Sequence, residues 1–209
     1  MSRGHFITFE GGEGAGKSTQ ARRLAQALER QGHSVVITRE PGGSPGAEDI
    51  RSLIVSGDTD RWAPLTETLL VFAARADHLE RTIRPALGRG KWVICDRFVD
   101  STFAYQGVGQ GMDPATIGKL RDLVVGADMP ALTLILDLPV ETGLERAAAR
   151  DHAEDRFERM GDSFHRKLRQ AFLNLAAAEP DRCIVIDASQ DEDAVAEAIW
   201  EAVSSRLAV

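Results

Sequence analysis

Phe6-Ile7-Thr8-Phe9-Glu10-Gly11-Gly12-Glu13-Gly14-Ala15-Gly16-Lys17-Ser18 runs from a short apolar stretch straight into a glycine-rich turn ending in Lys-Ser. Gly11–Ser18 fits G-x-x-x-x-G-K-[ST] in the context that pattern needs, after a strand and before a helix, and so predicts a phosphate-binding loop. Glycines let successive backbone N–H groups turn inward and form an anion-sized nest. The helix opening near Lys17 adds its positive dipole end. Lys17 is placed to reach the β- and γ-phosphates of a nucleotide, and the Ser18 hydroxyl to complete a magnesium shell. The expected phosphate contacts are Gly11, Gly12, Glu13, Gly14, Ala15, Gly16, Lys17, Ser18 and Thr19, with Mg-ATP as the ligand.

Outward from the loop, similar apolar runs recur at Val35–Thr38, Trp92–Cys95, Leu132–Leu138 and Cys183–Ile186. They lack polar alternation, as strands covered on both faces should. Helical patterns separate them. One ends at Gly32; a second carries apolar positions 65, 69, 72, 76, 79, 83 and 87 and stops at Gly88. A third opens with Ser189 and Glu192 at capping-box spacing and presents Val195, Ile199, Val203 and Leu207. Alternating strands and helices predict an α/β fold: a parallel sheet of about five strands with helices on both faces. Ligands in such sheets sit beyond the carboxyl ends of the strands, where every motif-bearing segment of this chain falls.

The 209 residues suit one domain, 1–209, rather than two. A net charge of −7 argues against a general nucleic-acid or membrane-surface binder. No secretory signal or transmembrane run is evident, and Cys95 and Cys183 read as two free core thiols, so a cytoplasmic protein is expected. The one asparagine, Asn174, lies outside any N-K-x-D pattern and no D-x-x-G occurs, which argues against a switch GTPase. A partner-gated assembly ATPase would leave the next set of residues without a use.

That set points to a second phosphate site. Asp96-Arg97 closes the third strand: a strand-end Asp suits magnesium held through water, and the Arg suits bidentate anion binding. Around it stand Arg39-Glu40-Pro41-Gly42-Gly43, Phe72-Ala73-Ala74-Arg75 and Ser101-Thr102-Phe103-Ala104-Tyr105-Gln106-Gly107. With the loop, these motifs make the chain resemble, nearly end to end, the thymidylate kinase (dTMP kinase) family of the bacterial type. The resemblance implies a P-loop nucleoside monophosphate kinase fold with a short lid at about 146–158, and a homodimer. The implied reaction is transfer of the ATP γ-phosphate to dTMP in dTTP synthesis. It implies that Phe72 stacks on thymine, Arg75 hydrogen-bonds a base carbonyl and Thr102 touches the base edge. Arg97 and Arg51 would hold the monophosphate and Tyr105 would pack beneath the deoxyribose. Arg39, Ser101 and Gln106 would line the same pocket. Glu13 would contact the acceptor's 3′-hydroxyl or magnesium-bound water; Ser18 and Asp96 would serve the metal.

Phosphoryl transfer also needs positive charge on the migrating group. In the family one subgroup carries a catalytic arginine in the phosphate loop and the bacterial one carries it in the lid. Here the loop has none, whereas Arg146, Arg150 and Arg156 flank Asp151–Asp155, a break with poor helical pattern. Arg150 and Arg156 are both candidates for the catalytic role, beside Lys17, Arg97 and Glu13, with Arg156 preferred. The charged stretch from Arg159 onward reads as a solvated helix.

Overall fold

The computed structural model describes residues 4–149, 156–207 and 209. Five strands, β1 (Phe6–Gly11), β2 (Val35–Arg39), β3 (Trp92–Asp96), β4 (Leu132–Asp137) and β5 (Cys183–Asp187), form one parallel sheet in the order β2-β3-β1-β4-β5. They are the five apolar runs expected. Full burial holds only for the middle of the sheet: the edge strands β2 and β5 leave Ile37 and Val185 48% and 43% exposed.

Successive strand residues point to opposite faces, so one sheet feeds two cores. Ile7, Phe9, Ile94, Leu134 and Leu136 pack on one side with α1 (Lys17–Arg30) and α9 (Glu192–Arg206). On the other side Phe6, Val93 and Cys95 meet α3 (Pro64–His78) and its continuation, while Ile135 and Cys183 meet α8 (Asp162–Ala178). Both cysteines are buried and free. The remaining α-helices among the described residues are α2 (Pro45–Ile54), α4 (Arg84–Gly88), α5 (Val99–Thr102), which runs on into a π-type segment Phe103–Gly109, α6 (Pro114–Val124) and α7 (Val140–Ala148).

Two local expectations change. The helix over residues 65–87 is not one regular α-helix, because a wider, π-type turn, Leu79–Ile83, separates α3 from α4. Its predicted stripe is also rotated. Leu65 and Leu69 are 51% and 48% exposed, whereas Glu67, Thr68, Val71, Phe72, Arg75 and His78 are buried. The last helix is capped by Asp191, whose carboxylate accepts from the Asp193 and Ala194 N–H groups. Ser189 instead donates to Asp187, so no Ser189/Glu192 capping box forms.

The carboxyl ends of the central strands are brought level. Phe9 lies opposite Asp96 on β3 and Gly11 opposite Leu136 on β4. The chain therefore leaves β1, β3 and β4 at one edge of the sheet, and the site is built there. Residues 150–155 of the expected lid, Arg150 among them, lie outside the described residues.

Candidate active site

The turn after β1 is shaped by backbone contacts that leave no room for a side chain at two of its glycines. Gly11 has φ +130° and an added Cβ would lie 2.4 Å from the Leu136 carbonyl oxygen. Gly14, at φ +66°, packs against α7 so closely that its Cβ would be 2.0 Å from the Gly143 carbonyl. The loop enters α1 through Gly16, which supplies no side-chain cap, and the first turn of α1 holds no acid. Its positive end is thus left for an anion. Lys17 arches back over the turn and donates from Nζ to Gly12 O at 2.6 Å and Gly11 O at 3.2 Å. Burial and the nearby Arg97 guanidinium push its ammonium down to about 8 against the pull of Glu13, Asp96 and Glu10.

Beside the loop, the Ser18 hydroxyl donates to Asp96 Oδ2, so a hydroxyl from the start of α1 meets a carboxylate from the end of β3. Among the described residues no cluster of three His, Cys, Asp or Glu side chains could hold a metal. Two hard oxygens at a phosphate loop nonetheless match magnesium, which keeps several waters and takes phosphate oxygens beside one or two protein ligands.

Arg97 adopts φ 68°, the one non-glycine positive φ among the described residues. The turn aims its guanidinium back across the loop. Nη1 donates to Gly11 O at 2.9 Å and Ser101 Oγ at 3.2 Å, and Nη2 to Glu13 Oε1 at 3.0 Å. The Tyr105 ring lies 4.9 Å beneath it, and the Tyr105 hydroxyl donates to the same Glu13 oxygen at 2.6 Å. Burial alone would raise the Glu13 carboxyl; Arg97, Lys17 and the Tyr105 hydroxyl outweigh it and bring it to about 2. The loop's one acid thus has both a cation and a donor.

Glu10, to which the sequence reading gave no role, holds this turn in place. Its carboxylate accepts from Phe98 N at 2.7 Å and Ser101 Oγ at 2.6 Å. Burial, then Asp100, raises it to about 8.

Facing the loop is a cavity of about 300 Å³. Its walls include Glu13 to Ser18, Arg39, Arg51, Arg75, Asp96, Arg97, Ser101, Thr102, Tyr105 and Gln106. Most of the predicted site residues are therefore brought together. Arg75 is 1% exposed; its Nε donates to Glu40 Oε2 at 2.7 Å and its guanidinium lies 4.9 Å from the Phe72 ring and 5.2 Å from the Phe98 ring. Glu40 is held in turn by His78 Nδ1 at 2.9 Å, and His78 Nε2 by the Thr38 hydroxyl at 2.7 Å. The sequence reading assigned His78 and Glu40 no chemistry. Their only signal was position: Glu40 in the Arg39–Gly43 motif, and His78 one turn after Arg75. Two polar atoms of this wall, Arg75 Nη1 and Thr102 Oγ1, are buried with no hydrogen-bond partner among the described residues. Unpaired donors of this kind are costly and call for a ligand.

Three expected residues fall elsewhere. Phe72 does not line the cavity: it is 2% exposed inside the core with Phe6, Leu79 and Ile83. Four residues before Arg75 on the same helical face stands Val71, and it is Val71 that borders the cavity with Phe98. Phe72, rotated about 100° from that face, supplies instead a ring against which Arg75 rests. Arg156 is also displaced from its expected role. It is fully buried, absent from the cavity wall, and committed to Glu67 and three backbone carbonyls. A guanidinium so engaged does not meet a migrating phosphoryl group, so the preference for Arg156 as the lid catalyst is corrected. Thr19 lies on α1 outside the cavity, its hydroxyl accepting from Arg22.

A parallel sheet of this order, a phosphate loop after its first strand and an arginine-lined cavity facing that loop define a P-loop nucleoside monophosphate kinase fold. Comparison with known proteins narrows the class. The thymidylate kinase family profile matches residues 9–199. The chain is 59% identical over 207 residues to a thymidylate kinase of Caulobacter vibrioides, covering 99% of each chain. It is 53% identical over 207 residues to one of Bradyrhizobium sp., covering 98% of this chain and 92% of that one. The crystal structure of thymidylate kinase from Ehrlichia chaffeensis superposes with a TM-score of 0.76 at 36% identity, over 96% of this chain and 99% of that one. The chain belongs to the thymidylate kinase family. Its activity is accordingly the ATP-dependent phosphorylation of dTMP to dTDP, a step of nucleotide synthesis. No helix among the described residues is long and apolar enough to cross a membrane.

Proposed function

We propose that the two halves of this site divide the two nucleotides between them. The ATP phosphates lie on Gly11 to Ser18, and dTMP fills the cavity between that loop and α3. Its base lies against Val71 and Phe98, with Arg75 Nη1 and Thr102 Oγ1 reaching the base edge. Its monophosphate meets Arg97 and Arg51, its sugar lies over Tyr105, and Glu13 faces the sugar's 3′ side. Arg39, Ser101 and Gln106 complete the wall. The observation that carries this reading is the pair of buried, partnerless polar atoms, Arg75 Nη1 and Thr102 Oγ1, on the same wall as Arg97.

Phosphoryl transfer needs the donor and acceptor in line, water excluded and charge met as it develops. Lys17 meets it at the leaving side and Arg97 at the accepting side. Ser18 and Asp96 would hold magnesium, which would supply neutralisation of phosphate charge. Arg150 is proposed for the lid charge. The reading extends to a cytoplasmic enzyme with free thiols. It also extends to a homodimer formed across the outward face of α2 and α3, where Leu53, Leu65 and Leu69 are 38%, 51% and 48% exposed. A light-scattering mass tests the dimer.

The substrate reading is tested by ADP release across dTMP, dUMP, dCMP, dGMP and UMP. Preference for dTMP is expected. Faster turnover of another monophosphate would overturn the assignment of the cavity while leaving the kinase class intact.

A further inference from the structure

Arg156 stands where the chain returns from the expected lid, and it has no exposed surface. Its Nε donates to Asp58 O at 2.9 Å, its Nη1 to Ile54 O at 3.0 Å and its Nη2 to Thr59 O at 2.9 Å. Ile54 ends α2, so the guanidinium satisfies a last-turn carbonyl and sits at the negative end of that helix. Nη1 also pairs with Glu67 Oε2 at 2.5 Å, and both partners are fully buried. The other Glu67 oxygen accepts from Gln106 Nε2 at 2.8 Å and from Gln110 Nε2.

Three pieces of the cavity wall converge on this one ion pair: Arg51, Ile54 and Val55 from the end of α2, Gln106 from the segment after α5, and Phe157 and Glu158 next to Arg156 itself. Phe157 also meets Tyr105 edge-on at 5.4 Å. An ion pair this deep gives little net stability, because desolvation offsets attraction and an apolar pair of similar volume would serve as well. What a planar fork provides and an apolar filler does not is direction.

We propose that Arg156 is a positioning residue for the acceptor: with Glu67 it fixes the lid's return segment and the end of α2 as one wall of the monophosphate pocket. The inference rests on reading that cavity as the dTMP site. It anchors the described segment that follows residue 155 on the acceptor side, and it makes acceptor affinity the quantity that depends on Arg156.

The test is steady-state kinetics with dTMP and ATP varied separately, on Arg156→Lys and on the neutral double variant Glu67→Gln/Arg156→Met. The double variant leaves an amide oxygen for Gln106 and Gln110 and removes both buried charges. The expected result is a dTMP KM raised by about tenfold or more in both, with the ATP KM within about twofold and kcat within about threefold of the parent. A collapse of kcat with unchanged dTMP KM would put Arg156 on the reacting phosphoryl group and overturn the proposal. So would parental dTMP KM in both variants, or failure of both to show a cooperative melt, since either makes the pair a structural staple alone. In all these cases the parent's own preference among monophosphates still judges the substrate reading independently.

Discussion

Arg97 lines the cavity, whereas Arg156 is buried behind the wall to which Phe157 and Glu158 contribute, and the two are built in opposite ways. Arg97 sits on a strained backbone, φ 68°, and shares its fork among the Gly11 carbonyl and two side chains, Glu13 and Ser101, that themselves border the cavity. Arg156 sits on ordinary loop backbone with its fork spent on buried Glu67 and on three backbone carbonyls. The first arrangement suits a group that changes partners when a ligand arrives. The second suits a group that does not. An arginine in a lid is therefore not catalytic by address; the acceptors around its guanidinium decide.

The largest expected effect lies on the loop side. Lys17→Ala should lower kcat by about a thousandfold with every acceptor, as loss of a preorganised positive group at developing charge does. Equilibrium dialysis should find dTMP still bound, and loss of dTMP binding would break the division into donor and acceptor halves.

Next comes stability. Arg156→Ala strands the Glu67 carboxylate and should cost about 3–5 kcal/mol, read as a lowered denaturation midpoint. Arg97→Ala should cost clearly less while damaging acceptor use more. Reversed ranks would erase the contrast between the two arginines.

A third, smaller pair separates neighbours on α3. Phe72→Ala opens a core cavity and should lose about 3 kcal/mol of stability. Val71→Ala should change stability by about 1 kcal/mol but raise the dTMP KM several-fold. If Phe72→Ala acted on KM with stability unchanged, Phe72 would be the base platform after all.

The mildest effect is on pH. The Lys17 ammonium, lowered to about 8, carries charge below that value and loses it above. ATP affinity of the free enzyme, measured by calorimetry, should therefore fall as pH rises through about 8, and Lys17→Met should flatten that slope. For folding the sign is opposite: between about 8 and the ordinary lysine value of 10.5 the unfolded chain binds the extra proton, so Lys17 makes the fold more stable as pH rises.

Legibility in the sequence follows the same divide. Phosphate-loop chemistry is local: Gly11 to Ser18 carry spacing, charge and helix start in eight consecutive residues, and the loop forms where they predict. Asp96-Arg97 was readable because it ends a strand whose apolar run is plain. Val71 was not, because choosing between Val71 and Phe72 requires the rotation of α3 about its axis, which tertiary packing sets. Leu65 and Leu69 misled for the same reason: an apolar residue on a helix says nothing by itself about which neighbour covers it. Glu10, Glu40, Glu67 and His78 escaped because buried polar groups are recognised by their partners, which lie on other elements.

That dispersal has a consequence for how the protein acquires its activity. The site is held by contacts between distant parts of the chain: Ser18 with Asp96 at a separation of 78 residues, Arg97 with Gly11 at 86, Arg156 with Ile54 at 102. No fragment formed early in folding contains a usable nucleotide pocket, since each contact waits for a long loop to close. Nucleotides then bind the finished sheet and leave partly folded chains alone. At a hundredfold excess over its Kd, one bound nucleotide adds about 2.7 kcal/mol to the native state. Substrate supply thereby becomes a determinant of how long the enzyme lasts.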